Sequence, residues 1–340
     1  MRRRLTRTFR TLISGFPGGD DFREIPPLAA EDLEEIRQFF PMPKFFIFGY
    51  ARSGTTLLAR LVRLHPDVHC NWQAHFFSRP PLVSSILADK KYESWLSRRS
   101  NRWNRGRDLS PVALRAMCDY ILERDAAKEG KTIVGDKSPN VLLSGAAVKE
   151  AHRLYPDASI IYVVRDGRDT VLSHRFQNFV DGAQFLSQKD LALRQAFIQS
   201  PELFRGGRRS VFTEKALQRM AANWADNILE TDRLGHQLYG DRYFSLRYED
   251  LIARPFDMMS KVWNFLGVNS DGLEARLELE INQNPDAEWQ GEKEPTIASE
   301  LKKGQQGGWK DFFTDLDKKI FKEKAGGVLV NWGYEQGQNW

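Results

Sequence analysis

Residues 44–65, KFFIFGYARSGTTLLARLVRLH, decide the fold. An apolar run of strand length, Lys44 to Phe48, leads into a glycine loop, Gly49 to Thr56. Leu57, Leu58, Leu61, Val62 and Leu64 then recur at helical spacing. A run that is apolar throughout, rather than alternating, suits a parallel strand covered on both faces. Strand, glycine loop and helix in that order are the setting of a phosphate-binding loop, where backbone N–H groups and a helix N-terminus cradle an anion. The stretch has the two glycines and the Thr55–Thr56 ending of a Walker loop. Thr55, however, stands where a nucleoside triphosphatase carries lysine, and Arg52 lies inside the loop.

The same alternation continues outward. Strands are predicted at VHC, KTIVGD, SIIYVV and DRYFSLRY, with helices at VLLSGAAVKEAHRLY, from DGRDTVLSH onward, and from about residue 213 to 236. Between VHC and KTIVGD, residues 80 to 129 read as mixed helix. Repeated β then α at these lengths predicts an α/β fold: a central parallel sheet flanked by helices, in the three-layer architecture of P-loop nucleoside triphosphatases. Residues 1–40 read as an extension, with EDLEEIRQFF a short helix closed by PMP. Residues 41–335 read as one domain. Two polar, glycine-containing segments, 180–212 and 282–310, are longer than ordinary connections and are expected to act as lids over the ligand site.

The chain of 340 residues is 41% hydrophobic with 22 Phe and 9 Trp, which supplies a sizeable core and excludes a disordered protein. The net charge of +5 fits an anionic ligand, nucleic acid or an acidic membrane face equally well. A nucleic-acid partner is the least expected, because the charges are not gathered in a basic stripe. The two cysteines, Cys70 and Cys118, lack metal-ligand spacing and read as buried thiols of a cytoplasmic protein. No segment approaches the roughly 20 apolar residues of a spanning helix. The basic start, MRRRLTRTFRTLISGF, is open to a peripheral membrane role or to a locally docked tail.

The chemistry of the loop follows from its side chains. Ser53, Gly54, Thr55 and Thr56 offer amides and hydroxyls to an anion, and Arg52 brings a charged fork to the same place. Triphosphate transfer needs the loop lysine together with Mg²⁺ held by an acidic strand end. Here the strand end reads IIYVVRDGRDTVLSHRF, so Arg165 leaves the strand and Ser173 follows on the next helix. Both can face one edge of the sheet, as a second phosphate site. Arg168 and Arg175 are expected on the solvent or lid side, His174 as a packing histidine and Trp224 as a core residue.

The pair GYARSGTTLL and VVRDGRDTVLS resembles the two signatures of sulfotransferases that use 3′-phosphoadenosine 5′-phosphosulfate (PAPS). RYEDLIARP and KKGQQGGWKDFF are similar to two further segments of that family, in the family's order. The resemblance spans about residue 44 to 315. It implies PAPS as donor, its desulfated form (PAP) as product, and no metal. Arg52 would face the departing phosphate oxygen, and Lys137, in VGDKSPN, the sulfuryl group; Arg165 and Ser173 would grip the 3′-phosphate. Tyr248 would meet the adenine edge, and Lys302, Lys303 and Gly304 would complete the 3′-phosphate segment, with Lys302 where arginine is usual. Sulfuryl transfer carries less charge than phosphoryl transfer, so fixed cations at the leaving oxygen can replace a bridging metal.

The acceptor side departs from the family's pattern. Gln73, in HCNWQAHFF, stands near the position of a family glutamate, and an amide does not take a proton. His75 is the expected general base, with His69 and Asp136 as the other candidates. A hydroxyl acceptor is implied, and the aromatic surroundings suit phenols, lipids, sugars or peptide tyrosines alike. Two readings compete with a transferase of this kind: an atypical P-loop kinase using Mg-ATP, and a non-catalytic nucleotide-binding relative. Oligomeric state is not legible.

Overall fold

The computed structural model describes residues 26–80, 82–283, 294–301, 306–337 and 340. In chain order the elements are α1 (Ala30–Phe39), β1 (Lys44–Phe48), α2 (Thr55–Val62), β2 (Val68–Trp72), α3 (Lys90–Ser97), α4 (Ser110–Lys128) and β3 (Ile133–Lys137). They continue with α5 (Ala146–Leu154), β4 (Ser159–Val164), α6 (Gly167–Asp181), α7 (Gln188–Gln199), α8 (Glu214–Tyr239) and β5 (Tyr243–Arg247). Then come α9 (Tyr248–Ala253), α10 (Pro255–Phe265), α11 (Glu274–Ile281), two single-turn helices, α12 (Pro295–Ala298) and α13 (Trp309–Phe312), and α14 (Asp315–Asn331).

Among the described residues five strands form one sheet in the order β2-β3-β1-β4-β5. Every neighbouring pair is parallel. β1 therefore lies in the middle, and its continuous apolar run is explained by two cores. Phe46 and Phe48 face a layer with Tyr155, Tyr162 and Trp224. Phe45 and Ile47 face the other, with Leu58, Leu61, Val163 and Trp263. Period-2 alternation sends neighbouring residues to opposite faces, so a strand between two helical layers must be apolar at every position. Parallel strands put all their carboxyl ends on one edge, and the loops that leave that edge build the site.

The segment 180–212 is less open than the sequence implies. It contains α7 and a 3₁₀ turn, Pro201–Gly207. Phe197 and Phe204 are fully buried in it, and Phe197 packs against Phe176 and Phe312. The basic start, residues 1–25, and the middle of the 282–310 segment lie outside the described residues. Cys70 and Cys118 are free and buried. Among the described residues no helix is long and apolar enough to cross a membrane.

Candidate active site

The loop after β1 runs between the loops after β3 and β4, as the strand order requires. Arg52 and Gly54 both take positive φ, 74° and 91°. The turn is closed by Ser53 N donating to the Tyr50 carbonyl at 3.0 Å. Gly54 is the N-cap of α2, so the first amides of α2 are left for a ligand. A Cβ at Gly54 would collide with the Tyr248 ring, so glycine is demanded twice, by the φ and by the ring. The Ser53 hydroxyl is buried and has no hydrogen-bond partner among the described residues. An orphaned buried hydroxyl is costly unless a ligand meets it.

On the β4 side, Arg52 Nε donates to Ser173 Oγ at 3.1 Å and Arg165 Nη1 donates to the Arg52 carbonyl at 3.1 Å. Arg52 thus meets two residues that lie more than a hundred positions further along the chain. The Arg165 guanidinium stands 5.1 Å from the centre of the Tyr248 ring, and Tyr248 itself is buried beneath the loop. The turn that carries Arg165 is braced from the YED segment. Glu249 accepts from Asp166 N at 3.0 Å and from the Tyr334 hydroxyl at 2.9 Å.

On the β3 side, Lys137 is fully buried at the strand end, in register with Ile47 and Trp72. Its Nζ donates to Thr56 Oγ1 at 3.3 Å and lies 5.0 Å from the Trp72 ring centre. The chain beyond it is pinned across β1, with Ser138 N donating to the Ile47 carbonyl and Asn140 N to the Gly49 carbonyl. The two expected cations therefore flank the loop, Lys137 at Thr56 and Arg52 toward Ser173.

Asp136 points to the opposite face of the sheet from Lys137. Its carboxylate accepts from Ala74 N at 3.0 Å and from the Ser138 hydroxyl, and Ser138 Oγ in turn accepts from His75 N at 2.9 Å. Burial pushes the Asp136 carboxyl up to about 6, against the pull of its two hydrogen bonds and Lys137. Asp136 thus fastens the exits of β2 and β3 together. Between about 3.8 and about 6 the folded chain holds this proton and the unfolded chain does not, so stability falls as pH rises through that window. Asp136→Asn is expected to flatten this slope, which amounts to ~3 kcal/mol. Urea denaturation of both proteins across the window checks this; an unchanged slope in the variant would contradict it.

His75 sits on a strained turn. Gln73 and His75 have φ of 55° and 52°, a conformation that non-glycine residues keep only where the surroundings impose it. Gln73 N donates to the Lys137 carbonyl at 2.8 Å, and His75 Nδ1 lies 2.9 Å from Ser78 Oγ. With the Nδ1 proton donated to Ser78, Nε2 carries the lone pair. Burial, then Arg79 and Lys137, lower the His75 pKa, so the ring is neutral at pH 7.

Of the remaining residues, His69 departs from expectation, Arg168 and Arg175 depart in part, and His174 and Trp224 follow it. His69 lies inside β2, three positions before its end, with Nδ1 3.0 Å from Glu129 at the far end of α4, so it is remote from the carboxyl edge. Arg168 and Arg175 are buried rather than solvent-facing, Arg175 against the 180–212 segment through Val211 and Asp190 and Arg168 against Trp309. Arg168 pairs with Asp166 and Glu335 and lies between the Trp309 and Trp340 rings, and Arg175 pairs with Asp190 at 2.5 Å. Buried charges persist only with such partners. His174 is a packing histidine against Tyr50, held down to about 4 by burial and Arg52. Trp224 is a core residue, closely packed on Gly167.

Lys302, Lys303 and Gly304 lie outside the described residues, but both flanks of their segment are placed. Leu301 and Gly308 line a small cavity with Arg165 and Ser173. Asp169 holds the far flank by accepting from Gly307 N at 2.7 Å and Trp309 N at 3.0 Å. Asp169 has no role in the sequence reading. The second acid of RDGRD, in the first turn of a helix at the sheet edge, is the signal that could have found it.

Comparison with known proteins bears on this geometry. A family model described as "Sulfotransferase family" matches residues 43–272. Protein-tyrosine sulfotransferase of Drosophila melanogaster is 27% identical over 229 residues, covering 67% of this chain and 38% of the relative. Human protein-tyrosine sulfotransferase 1 is 34% identical over 134 residues, 39% of this chain and 34% of the relative. The matched part is thus little more than a third of the length of these curated relatives. A mouse sulfotransferase solved in complex with PAP aligns over 91% of this chain and 95% of its own at 17% identity, with a TM-score of 0.46. The cytoplasmic placement drawn from the two thiols is corrected: the curated relatives that match are protein-tyrosine sulfotransferases, and they do not support it. Two cysteines buried in separate layers stay reduced for reasons of packing and do not identify a compartment.

Proposed function

The chain belongs to the sulfotransferase family, and from that premise we propose that it transfers the sulfuryl group of PAPS to a hydroxyl acceptor without a metal. The observation that carries this reading is the arrangement around one anion loop. Arg52, Ser173 and Arg165 are joined on one side, and Lys137 is held against Thr56 on the other. The donor would bring its sulfuryl group already activated as a mixed anhydride. The buried Ser53 hydroxyl and the α2 amides would meet its 5′ end, and Arg165 and Ser173, beside the small cavity with Leu301, its 3′-phosphate.

In this reading Lys137 and Arg52 oppose the negative charge that grows on the departing oxygen, in a site dry enough for fixed cations to act strongly. Arg165 and Ser173 hold the nucleotide, and Tyr248, assigned to the adenine edge, also supports Arg165 and Gly54. Lys302, Lys303 and Gly304 remain assigned to the 3′-phosphate. His75 Nε2 takes the acceptor proton, with Ser78 fixing the ring and Asp136, through Ser138, fixing the turn. Peptide tyrosine is the first acceptor to try, since the curated relatives are named for it.

The test is transfer of a radiolabelled sulfuryl group from PAPS to a panel of phenols, alcohols and tyrosine peptides in EDTA. Product in EDTA supports the reading; transfer that needs added Mg²⁺ contradicts it. In the active enzyme His75→Gln is expected to lower kcat/KM by about 10²- to 10⁴-fold. Because the His75 pKa is lowered, the acid limb of the parent's pH profile is expected below the ordinary histidine value of 6.5. The variant's residual rate should lack that limb; a limb kept at the same pH would remove His75 from the role.

A further inference from the structure

The sequence shows no basic stripe taken over its whole length, but residues 89–108, DKKYESWLSRRSNRWNRGRD, gather one. They hold seven basic residues against three acidic ones, a net of +4 in a chain whose total is +5. The fold presents this segment outward. Leu96 and Asn104 are its buried anchors. The Asn104 side-chain amide donates to the Leu96 and Arg98 carbonyls at 3.2 Å, its oxygen accepts from Gly106 N at 3.0 Å, and Leu109 N donates to the Leu96 carbonyl. With those two inside, their neighbours are turned to solvent.

Three large aromatic side chains are exposed there: Tyr92 at 58%, Trp95 at 60% and Trp103 at 51%. Tyr92 and Trp95 lie three residues apart on α3 and share a face. Trp103 comes from the following loop, and its ring centre is 5.3 Å from that of Trp95, at 31°. Lys91, Arg98, Arg99, Arg102 and Arg105 are exposed around them. Arg107 is turned aside into a pair with Asp32. Ordinary soluble surfaces scatter such rings singly; three together within a basic rim mark a binding face.

We infer that this face docks on an anionic membrane surface. Arginine and lysine around tryptophan and tyrosine match both parts of a lipid interface: acidic headgroups outside, and an apolar boundary in which amphipathic rings settle. Single-stranded nucleic acid stacks its bases on free ring faces. Here Trp95 and Trp103 lean on one another at 5.3 Å, which favours burial of the pair as one apolar unit. An acidic peptide would use the arginines but leave three exposed rings without a function. The placement is consistent with the site. α4 runs back toward the start of β3, so its N-terminal end, with the arginine loop ahead of it, lies toward the edge that carries His75 and Lys137. The inference is independent of the reaction proposed above.

Cosedimentation of the full chain with vesicles tests it, using phosphatidylcholine alone and phosphatidylcholine with roughly one-third phosphatidylserine. Binding is expected only to the anionic vesicles, with a blue shift of tryptophan emission and loss at high salt. Each basic residue near such a surface changes partition about fivefold, so Arg99→Gln with Arg102→Gln should weaken binding roughly thirtyfold. Trp95→Ser with Trp103→Ser should weaken it about tenfold or more and abolish the blue shift. All four positions are exposed, and an unchanged melting temperature verifies the fold of each double variant. Failure of the parent to bind overturns the inference. So does binding undiminished from the parent's in both variants, which would assign it to another part of the chain. Tighter binding to an oligothymidylate or a polyglutamate than to the vesicles also overturns it.

Discussion

Lys137→Met is expected to lower kcat of the proposed transfer by about 10²- to 10³-fold while leaving PAP affinity within severalfold of the parent. Lys137 is fully buried, and its ammonium touches Thr56 beside the helix N-terminus that the anion loop opens. A cation placed there acts most strongly when charge accumulates on the departing oxygen, and less in the ground state. Methionine fills nearly the same volume, so no cavity is made and the loss reports charge. The melting temperature should be kept, because an ammonium is costly to bury and the substitution removes that cost. A variant that loses PAP binding and turnover in equal measure would make Lys137 a nucleotide-binding residue. Full activity would remove it from the site.

Arg165→Ala is expected to weaken PAP binding by at least about thirtyfold, the lower end of what truncating one partner of a buried charge-assisted pair costs. The loss should fall on the 3′-phosphate. The parent should prefer PAP to adenosine 5′-phosphate strongly, and the variant should bind the two with similar affinity. Arg165→Lys should recover part of the charge but not the planar fork. The variant also removes the 3.1 Å bond to the Arg52 carbonyl, so a modest rise in KM for the whole donor is expected beside the selectivity change. Titration calorimetry with both nucleotides separates the two effects. Unchanged preference for PAP in the variant would place the 3′-phosphate elsewhere.

The sequence carried the sheet and the anion loop because both are local. KFFIFG is apolar at every position, and GYARSGTT follows it directly; strand, loop and helix can be read within twenty residues. The meeting of Arg52, Arg165 and Ser173 was legible only as a shared edge, since contact across more than a hundred positions depends on β4 lying beside β1. Lys137 was placed correctly at a strand end, and its neighbour Asp136 was not separable from it by sequence. The strand's alternation sends one to the anion loop and the other to the buried turn that supports His75. Of the two sides expected for Arg168 and Arg175, the solvent side was wrong for a general reason. Arginine is read as exposed unless its partner is known, and the partners Glu335 and Asp190 come from α14's exit and from α7. The stripe at 89–108 was missed because it is diluted by a nearly neutral remainder, and because Leu96 and Asn104 reveal themselves as anchors only in the fold.

The segment 180–212 shows the same limit. Its glycines and arginines read as a lid; in the fold Phe197 fastens it to Phe176 and Phe312, and Phe204 packs on Phe197. Aromatic spacing over a broken helix does not announce which core it joins. The turn at Gln73 and His75 was identified by its position after β2, whereas the positive φ of both residues and the fastening of the turn through Ser138 belong to the structure alone.

The central claim is that this sheet edge is built for a nucleotide bearing a 3′-phosphate and needs no metal to hold it. Calorimetric titration of the parent with PAP in EDTA measures this most directly, run beside adenosine 5′-phosphate in EDTA and ATP with Mg²⁺. PAP should bind in EDTA, at least about tenfold more tightly than either comparison nucleotide, since one charge-assisted contact contributes roughly that much. Binding of Mg-ATP in preference to PAP, or no heat with PAP, would contradict the claim.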